Sequence, residues 1–230
     1  VNTFDASQGF FAGRHEDGTF EPIGDEFIWA DVYAEGNAWQ YLWLGPQEHA
    51  ALATVLGGEA MARARLTTFF EESARERRTV APPDWYWHGN EPDIHAPFLF
   101  SLWGDPDSTA RWSAWAREVH YDEGPEGLPG NDDSGTMSAW YVFSALGLYP
   151  IAATDLWAVA SPGVTRAVVH RAGGDWIITA PEAAPGAVYV TSLAIDGTAH
   201  TAASERAILH EADVQDGIAL DFALVYEPAR

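Results

Sequence analysis

Three short polar runs hold the residue types on which chemistry could rest. They are Tyr33-Ala34-Glu35-Gly36-Asn37, His88-Gly89-Asn90-Glu91-Pro92-Asp93 and Gly130-Asn131-Asp132-Asp133-Ser134-Gly135. Each offers carboxylates and side-chain amides. Each also precedes a stretch that is apolar nearly all round: about 36–44, 95–103 and 134–147. A helix beginning there leaves unpaired N–H groups that can hold sugar hydroxyls or order a loop. If three such helices run parallel, the three clusters open at one mouth and carboxylates far apart in the chain share a pocket. Each cluster also has a purely structural reading. Asp133 or Ser134 is an ordinary N-cap, Asn-Asp-Asp-Ser-Gly is turn chemistry, and Glu35 is a solvated charge.

Other chemistries are poorly served. The chain has no Cys, so thiolate metal sites and Cys nucleophiles are excluded. His88 and His95 share a helix face only if Pro92 does not interrupt it. Oxygen donors dominate, which suits a hard cation such as calcium better than zinc. There is no EF-hand loop, no phosphate loop, no Lys and no Gly-x-Ser-x-Gly.

The elements that would position these clusters divide by periodicity. All-apolar segments alternate with amphipathic ones at about 47–56, 59–78 and 108–120. In 59–78, Ala62, Leu66, Phe69, Phe70 and Ser73 form one face; in 108–120, Trp112, Trp115, Ala116 and Val119 do so. A helix with no polar face must be buried. Alternating buried and amphipathic helices therefore suggest two concentric rings, an α/α barrel, with a two-layer helical stack as the alternative. From about 156 the pattern becomes strand-like at 156–159, 166–170, 176–179, 187–191 and 218–222, separated by Ser-Pro-Gly, Gly-Gly-Asp, Pro-Gly and Asp-Gly turns. The expected fold class is α+β, with residues 1–150 helical and 151–230 an antiparallel β region.

Composition narrows the partners. The 230 residues carry 34 Asp+Glu against 12 basic residues, for a net charge of −22. That excludes a nucleic-acid surface, which needs clustered positive charge, and no apolar run is long enough for a membrane span. Hydrophobic residues make up 47% of the chain, enough for a sizeable core. Eleven Trp are present; indole faces suit sugar rings, although core filling is the first reading of any one of them. The chain opens at Val1 without a signal peptide and reads as processed or partial.

The clusters as written resemble glycoside hydrolase family 92, the calcium-dependent exo-acting α-mannosidases. The resemblance rests on Glu35-Gly36-Asn37-Ala38-Trp39-Gln40, on Trp87-His88-Gly89-Asn90-Glu91-Pro92, and on the run from Gly130 to Phe143 with its trailing Ser-Ala-Leu-Gly-Leu-Tyr-Pro at 144–150. It extends over essentially all of the chain but matches only the C-terminal part of a longer enzyme. It implies part of an (α/α)6 barrel, a partner in the missing N-terminal part, and a secreted or cell-surface bacterial setting. It further implies inverting hydrolysis of terminal α-mannosides in mannose-containing glycans. Glu35 matches the general acid and Asp133 the general base. Asn37, Trp39, Gln40, Trp85, Trp87, His88, Asn131 and Asp132 are the implied substrate contacts, and Asn90 and Glu91 the implied calcium ligands. Asp84 and Trp85 stand where α-1,2-specific members tend to carry His-Glu, which leaves other linkages or a mannosyl phosphate open. Retention of Glu35 favours ordinary glycosides. The competing readings are a non-catalytic calcium- or sugar-binding module and an α/α-barrel hydrolase for another sugar.

Overall fold

The structure is a computed structural model and describes residues 2–29, 32–76 and 83–228. The chain divides between Ala96 and Pro97 into two compact units.

The first unit opens with a two-residue antiparallel pair, β1 (Phe4–Asp5) and β2 (Phe10–Phe11). The expected helix at 36–44 is a single turn, α1 (Ala38–Tyr41). It ends early because Gly45 takes a left-handed φ of 94° and leads into a 3₁₀ turn at Pro46–Glu48. Next come α2 (His49–Val55) and α3 (Glu59–Arg75). The stripe on α3 is as its period requires: Ala62, Leu66, Phe69 and Phe70 are fully buried, and the Ser73 hydroxyl faces the Tyr86 carbonyl. Positions 77–78 of the expected helix lie outside the described residues.

Helix α4 (Ala96–Leu102), which belongs to the second unit from Pro97 onward, buries Phe98, Leu99 and Phe100 completely, as a helix without a polar face should. The next helix, α5 (Pro106–His120), starts two residues before the expected 108. Asp105 accepts from the Ser108 amide at 3.1 Å, and Pro106 fits the first turn, where no N–H is needed. Helix α6 (Thr136–Leu146) starts later than 134 because Asp133 and Ser134 have φ of 46° and 61°. It ends, as expected, at a left-handed Gly147.

One expectation fails on α6. Its pattern predicts burial all round, yet Tyr141 is 43% and Val142 53% exposed; only the face with Met137, Trp140, Ser144 and Leu146 is buried. Apolar composition fixes what a helix can bury, and neighbours fix what it does bury.

The strands of the second unit form two sheets. One is three-stranded, in the order β3 (Leu148–Pro150), β4 (Leu156–Val159) and β9 (Ile208–His210), and is antiparallel throughout. The other has the order β5 (Arg166–Val169), β6 (Trp176–Thr179), β10 (Ile218–Val225), β7 (Tyr189–Ile195) and β8 (Thr198–His200). Its β6–β10 pair is parallel, which corrects the expectation of a wholly antiparallel region. A short helix, α7 (Glu211–Val214), follows β9. Ile218, Leu220, Phe222 and Leu224 alternate inward along β10 and join Ile178, Val190 and Leu193 in one core. Among the described residues no helix is long and apolar enough to cross a membrane.

Candidate active site

Two of the three polar clusters meet within the first unit. The loop before α1 carries Glu35 with φ 56°, a left-handed conformation uncommon in a non-glycine residue. Asn90, from the second cluster, donates its side-chain amide to the Glu35 carbonyl oxygen at 2.7 Å. Tyr41, one turn into α1, donates its hydroxyl to the Ala34 carbonyl. Between these anchors lies Gly36. A Cβ there would stand 2.7 Å from the Tyr41 ring, so only glycine lets the ring close over the loop. Burial, and then the nearby Glu35 charge, raise the Tyr41 hydroxyl above its ordinary range.

Asn37 and Gln40 build the other side of this frame. Asn37 Oδ1 accepts from the Gln40 amide at 3.0 Å while Gln40 Oε1 accepts from the Asn37 amide at 3.1 Å, a reciprocal capping box. Their remaining donors fasten the 83–85 segment. Asn37 Nδ2 reaches the Asp84 carbonyl, and Gln40 Nε2 the carbonyls of Pro83 and Trp85. Both side chains are buried and fully engaged by the protein. Trp39 and Trp85 pack with ring centroids 4.8 Å apart, and Trp39 is covered by the Arg65 guanidinium 4.8 Å from its ring. Trp87 meets Trp29 edge-on.

Within the second cluster the histidines do not converge. His88 is fully buried with Nδ1 against the Tyr86 hydroxyl, while His95 holds the Trp43 carbonyl at 2.5 Å. Burial lowers His95 to about 4 and keeps it neutral. Asp93, also buried, accepts from the Trp87 amide at 3.1 Å; burial raises its carboxyl well above the usual range. Glu91 is exposed.

The third cluster belongs to the second unit. Asp132, rather than Asp133 or Ser134, caps α6: its Oδ1 accepts from the Ser138 amide at 2.9 Å, and its carbonyl takes the Gly135 and Met137 amides. Asp133 is bound only through its backbone carbonyl, which accepts from Thr136 N and Oγ1. Its carboxylate is exposed and takes no hydrogen bond from the described residues. Asn131 is likewise exposed. Of the two Asp side chains, the one at 132 caps the helix and the one at 133 is left for other use.

The family model for the glycosyl hydrolase family 92 catalytic domain matches residues 1–225. The chain belongs to that family. Among solved structures it is similar to a family GH92 alpha-mannosidase of Bacteroides thetaiotaomicron, at 29% identity and a TM-score of 0.84, over 99% of this chain and 29% of that one. It is similar also to a family GH92 inverting mannosidase of B. thetaiotaomicron VPI-5482, at 25% identity and a TM-score of 0.81, over 99% of this chain and 32% of that one. A secreted glycosidase of the fungus Arthroderma benhamiae is 26% identical over 166 residues, 67% of this chain and 20% of that protein. The chain thus spans about a third or less of the relatives it matches.

For the calcium that the resemblance implies, the described residues offer few oxygen donors in one place. Calcium takes six to eight oxygens, and among the described residues no three His, Asp or Glu side chains gather as a metal group. Asn90 has one amide hydrogen-bonding arm engaged with Glu35, which leaves its Oδ1 and the exposed Glu91 carboxylate as donors.

The sequence had marked Asn37, Gln40 and His88 as substrate contacts, and the structure engages all three with the protein. It had not marked Tyr41, whose hydroxyl holds the Ala34 carbonyl next to Glu35, or Tyr86, whose hydroxyl meets His88 Nδ1. The nearest signal was Tyr41 standing one helical turn beyond the Asn37 cap.

Proposed function

We propose that this chain is the C-terminal part of the catalytic machinery of an inverting exo-α-mannosidase, acting with an N-terminal part on mannose-terminated glycans. In this reading Glu35 protonates the departing glycosidic oxygen. Asp133 removes a proton from the water that attacks C1 on the opposite face of the ring. Inversion requires the two carboxyls to stand roughly 6.5–9.5 Å apart across one sugar. The observation that carries the proposal is the family 92 match over residues 1–225. A local feature supports it: Glu35 and Asp133 both sit on left-handed backbone, a conformation often retained where function needs it.

The remaining features extend the same reading. The helices are taken as part of an (α/α)6 barrel. Calcium is taken as a required ion, with Asn90 and Glu91 supplying part of its shell; bound, it would act as a Lewis acid and template on the sugar hydroxyls. A secreted setting accords with the fungal relative's description as a secreted glycosidase. Asp84 and Trp85 weigh against an α-1,2 preference.

The test is proton NMR of the first sugar released from an α-mannoside by the enzyme containing its N-terminal part. β-Mannose is expected. α-Mannose as the first product would exclude inversion, and no mannose release would exclude the function.

A further inference from the structure

Helix α6 is apolar nearly all round in sequence, yet one of its faces lies open. Ser138, Tyr141 and Val142 are exposed and Ala145 is half-buried. The last three stand three, four and seven positions on from Ser138, so the four residues share one stripe along the helix. A helix with no polar face belongs in an interior, and large apolar side chains gathered at a surface mark an interaction site. Resting on the reading that this chain works with an N-terminal part, we propose that the stripe is the seat of a helix from that part, one with an apolar face and a basic flank.

The stripe borders a groove of about 480 Å³ within the second unit, whose walls include Tyr121, Leu128, Ser138, Tyr141 and Val142. The Tyr121 hydroxyl donates to the Met137 carbonyl at 2.9 Å, and its ring lies 5.0 Å from that of Tyr141. The Tyr121 phenol is thus satisfied within the protein, and with Leu128 the two rings give the groove an apolar lining. Arg117 is satisfied too, with its guanidinium on the Ser144 carbonyl and hydroxyl and on the Ser161 carbonyl. The charge that remains at the groove is that of Asp122 and Glu123, both exposed.

The occupant follows from length, shape and charge. The chain spans about a third or less of the relatives it matches, so most of such an enzyme lies outside these residues. Ser138–Val142 and Tyr141–Ala145 are rows of the i, i+4 kind into which the ridges of a second helix pack. Asp122 and Glu123 repel another copy of a chain with a net charge of −22 and attract Arg or Lys. Helix α6 begins three residues after Asp133, so the partner that seats this helix also steadies the loop that carries the proposed base.

In the enzyme containing its N-terminal part, Tyr141 is replaced by photoreactive p-benzoylphenylalanine. On irradiation it should cross-link within the same polypeptide to a peptide upstream of Val1, with apolar residues three and four apart and Arg or Lys beside them. A cross-link to a second copy, to residues 1–230 only, to an upstream peptide without that pattern, or to nothing would overturn the proposal. Val142→Cys gives a second reading, since these residues contain no other Cys. Maleimide labelling of the peptide carrying position 142 should be about tenfold or more slower in folded enzyme than after unfolding in urea. Equal rates would also overturn the proposal. Mannose release by the wild type is measured separately; its absence beside a positive cross-link would remove the mannosidase reading and leave this interface standing.

Discussion

The Asn90 side-chain amide donates to the Glu35 carbonyl oxygen at 2.7 Å, joining loops 55 positions apart in the chain. The bond holds the backbone of a left-handed residue, so it acts on the aim of the carboxyl rather than on its chemistry. Asn90→Ala should cost about 1 kcal/mol of stability. In excess calcium it should lower kcat on natural mannosides by about tenfold with little change in KM, since misplacement of a reacting group is read in the transition state. Steady-state kinetics with a thermal melt checks both. An unchanged kcat would remove Asn90 as a positioning residue.

The protein should carry an acid-labile component of stability for an identifiable reason. His95 and His120 are both lowered to about 4 by burial, against 6.5 for a free imidazole; His95 lies in the first unit and His120 in the second. Each is buried neutral, and the unfolded chain takes up its proton first. The stability they contribute is complete above about pH 6.5 and drains as pH falls towards 4. Melting temperature followed from pH 7 to pH 4 should therefore carry a histidine-dependent drop, set against the opposite contribution of Asp93, whose carboxyl burial raises. His95→Gln keeps a donor for the Trp43 carbonyl and should show a shallower drop. Parallel slopes would contradict the role given to His95.

Calcium removal gives a separate check. Chelation of the enzyme containing its N-terminal part should abolish mannose release, and calcium should restore it better than magnesium, which demands tighter octahedral geometry. Glu91→Gln should raise the calcium concentration needed for half-recovery. Full activity after exhaustive chelation would remove the ion from the account.

Much of this architecture was legible because periodicity records burial. The α3 stripe, the inward alternation of β10 and the Gly147 stop each follow from local pattern. Local pattern fell short where neighbours decide. Nothing in Tyr141-Val142 announces that one face of α6 lies open, and nothing in Ile218–Val225 says that one of its partners runs parallel. The site was legible in part. The family resemblance singled out Glu35 and Asp133, but the division between Asp132 as cap and Asp133 as free carboxylate depends on backbone angles at 133–135 that the Asp-Asp-Ser-Gly string leaves open. The engagement of Asn37 and Gln40 with the protein was not legible at all. Amides suited to sugar hydroxyls are equally suited to carbonyls of a neighbouring loop, and here they bind the 83–85 segment.

The most direct measurement is a two-substrate comparison of Glu35→Gln and Asp133→Ala in the enzyme containing its N-terminal part. One substrate is a natural α-mannoside; the other is an aryl α-mannoside with a good leaving group. Glu35→Gln should lose about a hundred- to ten-thousand-fold on the first and little on the second, because only the first needs its oxygen protonated. Asp133→Ala should lose activity on both, because both need the water activated. Equal losses on the two substrates for Glu35→Gln, or retained turnover in Asp133→Ala, would contradict the assignment of acid and base.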